Sequence, residues 1–254
     1  MTRFSADWLA LRASADAAAR SRRLATIFAG TLKPHSHVVD LGAGRGALTG
    51  WLGPLLPKGT LWTLVDGDAR LLSLAPRVRK CRRSLGGRFP QADAYVSTAL
   101  IDLAGTAWLA RLIRHAHGRP LLMHLAVDGR HEFSAPHALD GAVLGAFARH
   151  QRRVKGLGPA LGAEAPFAFA RIATRAGYRV TIERSDWLVS DHALLAALVE
   201  GIAQAAVEQE PSLDMDAWLH ARRTQIARGR LSLRVGHRDV LAIRHRRRPT
   251  LRPA

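Results

Sequence analysis

Residues 38–50, VVDLGAGRGALTG, constrain the fold of this chain more than any other stretch. An apolar run of strand-forming residues ends near Asp40, and three glycines then alternate with other residues before a helical pattern begins. Such a turn lets a ligand approach the backbone closely, and the free N–H groups at the start of the helix favour an anionic or polar group. The stretch therefore predicts a ligand-binding turn.

The segments around this turn predict a doubly wound, Rossmann-like sheet. Helical patterns alternate over about 125 residues with short strand-like runs, an order typical of parallel α/β sheets. The runs are SHVVDL, TLWTLVDGD, RVRKCRRSL, ADAYVSTALIDL and PLLMHLAV. A sixth strand follows Gly177, and GRLSLRVGHRDVLAI gives the last one.

We therefore expect a single α/β domain. Ser5 is placed to cap one helix that runs to about residue 29, on which Arg12, Asp16 and Arg20 pair at four-residue spacing. The predicted parts are an N-terminal helical cap (1–33), a core (34–127), a polar, glycine-punctuated insertion that acts as a substrate lid (128–162), the rest of the sheet with a C-terminal helical insertion (163–245), and a basic tail (246–254).

Composition bears on the cellular location and the binding partners of this domain. The 48% of apolar residues can fill a core, and no window of about 18 uninterrupted apolar residues predicts a membrane span. The single cysteine, Cys81, suits a reducing cytoplasm. The formal charge is +18, with 38 basic residues against 20 acidic ones. Because few of the basic residues are lysines, we favour GC-rich coding as the origin of this charge over a nucleic-acid partner.

A second acid indicates which kind of ligand the turn binds. Asp66 ends the second predicted strand, 20 residues beyond Gly46, where a carboxylate can accept both hydroxyls of a ribose. The turn reads D-x-G-x-G-x-G, whereas a dinucleotide fingerprint needs G-x-G-x-x-G. Asp68 is placed to cap the next helix.

With this motif the chain resembles the class I S-adenosylmethionine-dependent methyltransferases, whose first motif is an acid followed by G-x-G-x-G. The resemblance covers roughly residues 38–103 and extends more loosely to the C-terminus through the strand order, in which such folds place the final strand antiparallel. It implies S-adenosylmethionine as the cofactor. We expect a methyltransferase that acts on the oxygen or nitrogen of a small molecule.

The resemblance also implies roles for individual residues. Asp66 binds the ribose, and Gly67 and Asp68 lie near the adenine. After the third strand, Ser84 and Leu85 replace the acid and apolar residue that often contact the adenine. Asp93 is another candidate for that contact, but we favour it as the start of the fourth strand. The methionine end is held by Asp40, Gly42, Ala43, Gly44 and Gly46.

The fourth motif, VSTALIDL, corresponds to the region beside the reactive methyl group. The candidates that we single out in it are Ser97 and Asp102. A hydroxyl satisfied by the backbone is an equally good interpretation of Ser97, and a helix cap of Asp102. A general base, if the acceptor needs one, comes from a histidine of the insertion, His131, His137 or His150. An anionic acceptor would be bound by Arg152, Arg153 and Lys155. A solvent-exposed helix face is an equally good interpretation of these three residues.

Two alternatives remain. An RNA methyltransferase is the first, yet STAL lacks the prolines and aromatic residue typical of base-amine methylation. A Lys-Asp-Lys-Glu set (Lys33, Asp102, Lys155, Glu183) is discounted because Lys33 precedes the first strand, opposite the cofactor. A non-catalytic cofactor-fold binding protein is the second. His220, and His237 with Asp239 two residues further on in the last strand, suggest a metal site, but these ligands are too few and no cysteine cluster accompanies them, so we predict no metal.

Overall fold

The protein is described here by a computed structural model that covers residues 5–154 and 156–244. Its strands are β1 (His37–Leu41), β2 (Leu61–Asp66), β3 (Arg79–Arg82), β4 (Ala94–Thr98), β5 (Leu121–Phe133), β6 (Tyr178–Arg184), β7 (Trp187–Val189) and β8 (Leu233–Arg244). They form one sheet in the order β3-β2-β1-β4-β5-β8-β6, and β7 also pairs with β8. β1 to β5 are parallel, and β8 runs antiparallel to β5 and β6. The predicted Rossmann-like sheet with an antiparallel final strand is confirmed.

The helices cover both faces of the sheet. They are α1 (Ala6–Leu11), α2 (Ala13–Ala19), α3 (Arg22–Ala29), α4 (Ala47–Leu52), α5 (Ala69–Ser73), α6 (Thr106–Ala116), α7 (Asp140–Gln151), α8 (Ala165–Arg175), α9 (His192–Gln209) and α10 (Met215–Ala227). α6 and α8 pack on one face and α3 and α4 on the other, whereas α7, α9 and α10 form a separate cluster with β7 and β8. None of the helices in the described ranges is long and apolar enough to cross a membrane.

The N-terminal segment differs from its prediction. Ser5 does cap α1, because its Oγ accepts a hydrogen bond from Trp8 N at 3.0 Å. However, the single helix expected up to residue 29 is wrong: the chain is extended at Arg20 (φ −58°, ψ 135°), and Ser21 then caps α3. The Ser21 N–H donates to the Asp239 carboxylate at 2.7 Å. This contact with β8 replaces an intrahelical hydrogen bond and lets α1 and α2 extend across the edge of the sheet.

The predicted insertion begins too early. β5 continues to Phe133, with register shifts between Met123 and Ala126 and again between Val127 and His131. Residues 128–133 therefore belong to β5, and the last three of them pair with β8, so the connection that leaves the sheet begins at residue 134. The predicted sixth strand is likewise two strands, because β6 and β7 both pair with β8.

Candidate functional site

A cavity of about 1210 Å³ opens at the carboxyl ends of β1, β2 and β4. This is the edge of a parallel sheet where ligands bind in open α/β folds. Its wall consists of the glycine turn, the start of α5, residues 82–85 and residues 98–100, and α1 and α2 cover it. The N-terminal helices thus cover part of the edge and leave a cleft that is open on one side.

The glycines of the turn have backbone conformations that other residues rarely adopt. Gly42, Gly44 and Gly46 have φ values of 71°, 53° and 73°. Gly42 and Gly44 line the cavity together with Ala43, but Gly46 does not. A Cβ on Gly46 would lie 2.8 Å from Pro76 Cδ, so this glycine permits close packing behind the turn.

Asp66 connects the second strand to the glycine turn. One carboxylate oxygen accepts a hydrogen bond from Gly44 N at 2.8 Å, and the other accepts from Asp68 N at 2.9 Å. An ionised carboxylate can accept about four hydrogen bonds. Asp66 lines the cavity and therefore has capacity left for two hydroxyls of a ligand. Asp68 caps α5, as predicted, by accepting from Arg70 N at 2.8 Å.

Asp40 is a buried acid of the cavity wall whose pKa is strongly raised. Its side chain is 1% exposed, and burial raises its pKa to about 8, although nearby Arg20 opposes this effect. Its Oδ1 has no hydrogen-bond partner in the described part of the chain. A buried carboxyl oxygen without a hydrogen-bond partner at the wall of a cavity is suited to a cationic or hydrogen-bond-donating ligand.

The covering helices bring a row of charges into the cavity. The pairing predicted from the sequence is present: Arg12 Nη2 lies 3.0 Å from Asp16 Oδ1, and Arg20 Nη2 lies 3.6 Å from Asp16 Oδ2. All three residues line the cavity. Their spacing indicated an ion-paired helix face, but nothing local indicated that this face would lie over the glycine turn.

Part of the cavity wall consists of the residues that the sequence motifs associate with the adenine. Gly67, Asp68, Ser84 and Leu85 line the cavity, and their place near the adenine stays a prediction. Asp93 does not, because its carboxylate accepts from His37 N at 2.8 Å, at the amino end of β1. Asp93 directly precedes β4, in line with the prediction that it begins the fourth strand.

The fourth motif presents a different side chain from the one predicted. Ser97 is 1% exposed, and its Oγ lies 3.0 Å from Met123 Sδ, away from the cavity. Thr98 lines the cavity instead, and its Oγ1 has no hydrogen-bond partner in the described ranges. Successive side chains of a strand point to opposite faces, so an error of one residue exchanges the two sides. Asp102 is buried in the turn Ile101–Leu103 and does not line the cavity.

The histidines proposed as bases lie outside the cavity. His131 is on β5 and packs edge-on against Phe147, with ring centroids 5.4 Å apart, and burial lowers its pKa. His150 lies at the end of α7, with Nε2 3.0 Å from Glu208 Oε2. Neither residue is among those that line the cavity. His137 contributes to the start of α7, where its N–H donates to Asp140.

Two of the basic residues proposed to bind an anionic acceptor, Arg152 and Arg153, likewise do not line the cavity. Arg152 is exposed, and Arg153 hydrogen-bonds with the Glu208 carbonyl at 2.8 Å. Lys155 lies outside the described residues, as does the predicted basic tail. The insertion does contribute Leu157 to the wall, held by the Gly105 N to Leu157 O hydrogen bond of 3.0 Å.

The residues considered for a metal are dispersed. His220 is exposed on α10. His237 is buried against the Trp187 ring, and burial lowers its pKa to about 4. Asp239 accepts from His124 Nδ1 at 2.6 Å. Across residues 5–154 and 156–244, no group of three His, Cys, Asp or Glu side chains could hold a metal ion.

Comparison of the sequence with known protein families and with characterised proteins gives no match. The structure resembles several solved ones. YcgJ from Bacillus subtilis superposes with a TM-score of 0.52 at 11% identity, covering 89% of this chain and 100% of YcgJ. A candidate methyltransferase from Bacillus halodurans gives 0.50 at 12% identity, covering 87% and 97%.

An S-adenosylmethionine-dependent methyltransferase from Geobacter sulfurreducens, solved with S-adenosylhomocysteine, gives a TM-score of 0.42 at 18% identity over 92% of this chain and 98% of its own. At such identities the likeness concerns the fold. Together with the strand order and the position of the glycine turn, the likeness to the two Bacillus structures shows that this chain has the same Rossmann-like fold as they do.

Proposed function

We propose that this chain is an S-adenosylmethionine-dependent methyltransferase that acts on an oxygen or nitrogen of a small molecule. The observation that carries the proposal is the arrangement of Asp40, the glycine turn and Asp66 around one cavity. The turn offers close backbone approach, and both acids offer acceptor capacity to a ligand.

The lining residues fit the parts of this cofactor. Asp40, Gly42, Ala43 and Gly44 surround the place of its methionine end, with Gly46 supporting the turn from behind. Asp66 is assigned to the ribose hydroxyls. The adenine end falls to Gly67, Asp68, Ser84 and Leu85. The cofactor would supply an activated methyl group on a sulfonium, and the residues named here would hold and orient it.

The size and lining of the cavity leave room for an acceptor. A drug-sized ligand occupies a pocket of about 300–1,000 Å³, and this cavity is larger. Thr98, Leu100, Leu103 and Leu157 form a mostly apolar wall beyond the glycine turn. We assign the acceptor to this wall, with Thr98 replacing Ser97 as the polar group. Such a wall would exclude water and orient the acceptor, which is most of what methyl transfer requires.

A nucleic-acid substrate is the second candidate, favoured by the arginines at the mouth. Arg82 and Arg83 line the cavity and are exposed, and β3 is the edge strand of the sheet. A polyanion bound along this edge would bring its bases or riboses to the mouth. The acceptor chemistry separates the two candidates.

Calorimetry followed by a transfer assay tests the proposal. The protein is expected to bind S-adenosylmethionine and S-adenosylhomocysteine but not NAD, since the turn lacks the dinucleotide spacing. A labelled-methyl screen of small metabolites against RNA then identifies the acceptor class. Binding of NAD without binding of adenosylmethionine would refute the proposal. Cofactor binding without transfer to any acceptor would favour the non-catalytic alternative.

A further inference from the structure

We propose that Arg20 is a specificity-determining residue of the cavity, which recognises the carboxylate of a ligand with a zwitterionic amino-acid end. The inference rests on the proposed function and extends it, because the sequence motifs assign the methionine end to the glycine turn and to Asp40 alone. Arg20 belongs to the helical cap and lies outside those motifs.

Arg20 is buried and retains a free donor. Its side chain lines the cavity, the residue is 5% exposed, and Nε has no hydrogen-bond partner in the described part of the chain. Its ion pair with Asp16 is loose, at 3.6 Å, since three hydrogen bonds of 3.0–3.1 Å from Arg12 already occupy that carboxylate. A buried guanidinium donor without an acceptor is costly unless a ligand supplies one.

The backbone and an aromatic ring fix the position of Arg20. Its guanidinium carbon lies 5.6 Å from the centroid of the Trp51 ring. The next residue, Ser21, is tied to β8 through its N–H. A planar guanidinium held on an aromatic face presents its donors in a fixed direction, which suits a carboxylate.

Arg20 and Asp40 together match a zwitterion. Both line the same cavity, and each carries one polar atom, Nε and Oδ1 respectively, without a partner in the described ranges. Arg20 is also the cation that most opposes the effect of burial on Asp40. A ligand with an α-carboxylate and an α-ammonium would satisfy the two atoms at once, with the carboxylate at Arg20 and the ammonium at Asp40. Arg12, by contrast, is already engaged by Asp16 and by the Trp187 ring at 4.7 Å.

Calorimetry with three probes tests this assignment: S-adenosylhomocysteine, its decarboxylated analogue, and 5′-methylthioadenosine, which lacks the whole amino-acid end. The wild type is expected to bind S-adenosylhomocysteine about 10- to 100-fold more tightly than the decarboxylated analogue. Arg20→Met should lose this preference and bind 5′-methylthioadenosine within about threefold of the wild type. Arg20→Lys, which keeps the charge without the fork, should restore part of it.

Arg22→Met is the matched control. Arg22 lies 6.0 Å from the same Trp51 ring but is exposed and outside the cavity, so its loss should leave all three affinities unchanged. Equal weakening of all three probes by Arg20→Met would show a structural role and overturn the inference. A wild type that binds all three probes equally would overturn it while leaving the nucleoside site intact. A wild type that binds none of them would refute the proposed function itself.

Discussion

Four aspartates of the C-terminal half have hydrogen-bond partners of a different kind from those of Asp40 and Asp66, which lie near the ends of β1 and β2. In residues 128–244, Asp128, Asp140 and Asp186 accept hydrogen bonds from arginine side chains. Burial alone would raise the pKa of each carboxyl, but the arginines hold all three pKa values below the ordinary range. Asp239 is held in the same direction by His124. These acids are already satisfied by the folded chain.

Asp40 and Asp66 lack such partners. Burial raises the pKa of Asp40 to about 8, and Asp66 accepts from the backbone N–H groups of Gly44 and Asp68. Both line the cavity. The difference shows which acids stabilise the fold and which keep capacity for a ligand. Substitutions in the first set should therefore change stability, and substitutions in the second set should change binding.

The largest effect is expected for Asp239→Ala. It would leave His124 and the N–H groups of Leu125 and Ser21 without their acceptor in a fully buried site. Breaking a buried charged network typically costs about 3–5 kcal/mol of the free energy of unfolding. Urea denaturation measures the loss. A loss below about 1 kcal/mol would place Asp239 outside the stabilising set.

Asp66→Ala should mainly reduce cofactor affinity. Hydrogen bonds to a carboxylate contribute roughly 1.5–3 kcal/mol each, so losing two ribose hydroxyls should weaken binding by a factor on the order of 10² or more. The free energy of unfolding should fall by roughly 1–2 kcal/mol, for the lost bonds to Gly44 N and Asp68 N. Calorimetry and denaturation separate the two quantities.

Asp68→Ala is the control for Asp66→Ala, since loss of its helix cap costs about 1 kcal/mol of stability and should change affinity only slightly. If Asp68→Ala abolishes binding and Asp66→Ala does not, the ribose has been assigned to the wrong acid. That result would also weaken the contrast between the two sets of acids.

Asp40 should make the ligand-free protein less stable as pH rises. Its folded pKa of about 8 lies above the ordinary value of 3.8, so the folded state holds the proton more tightly. Its contribution to stability is therefore complete below pH 4 and is lost as pH rises through 8, with a slope of at most about 1.4 kcal/mol per pH unit. Asp40→Asn should remove this dependence in denaturation curves measured from pH 4 to pH 8. Identical curves for the variant and the wild type would show that Asp40 is ionised throughout.

The smallest effect concerns the basic edge of the sheet. At this edge, Lys80 and Arg83 donate to the backbone carbonyls of Ala75 and Arg88, which do not neutralise their charge. Arg223 on α10, in contrast, pairs with the carboxylate of Glu200 at 2.8 Å. If the charge reflects coding bias, RNA should bind weakly, without sequence preference, and with affinity that falls steeply with salt. Reversing Arg79 and Arg82 to Glu should flatten that salt dependence, by roughly 0.7–0.9 in log–log slope per lost phosphate contact, and Arg223→Glu should change it less. Tight, selective binding of one RNA at physiological salt would instead favour the RNA-methylating alternative.

The sequence by itself determined the features that depend on neighbouring residues. The strand, glycine turn and helix around Asp40, the place of Asp66 at the end of β2, and the caps at Ser5 and Asp68 lie where they were predicted. Each depends on side chains and backbone groups within a few positions, which the order of the residues fixes directly. The parallel sheet follows from the same local alternation.

Only the tertiary structure decided which of these elements meet at the cavity. The break after Arg20 depends on a hydrogen bond from Ser21 to Asp239, more than 200 positions away in the sequence. The choice of Thr98 over Ser97 depends on which face of β4 lies towards the cavity. The extension of β5 depends on pairing with β8. Contacts between distant segments are set by packing and register rather than by local preference. The position of Arg12, Asp16 and Arg20 over the cavity was therefore visible only in the folded chain.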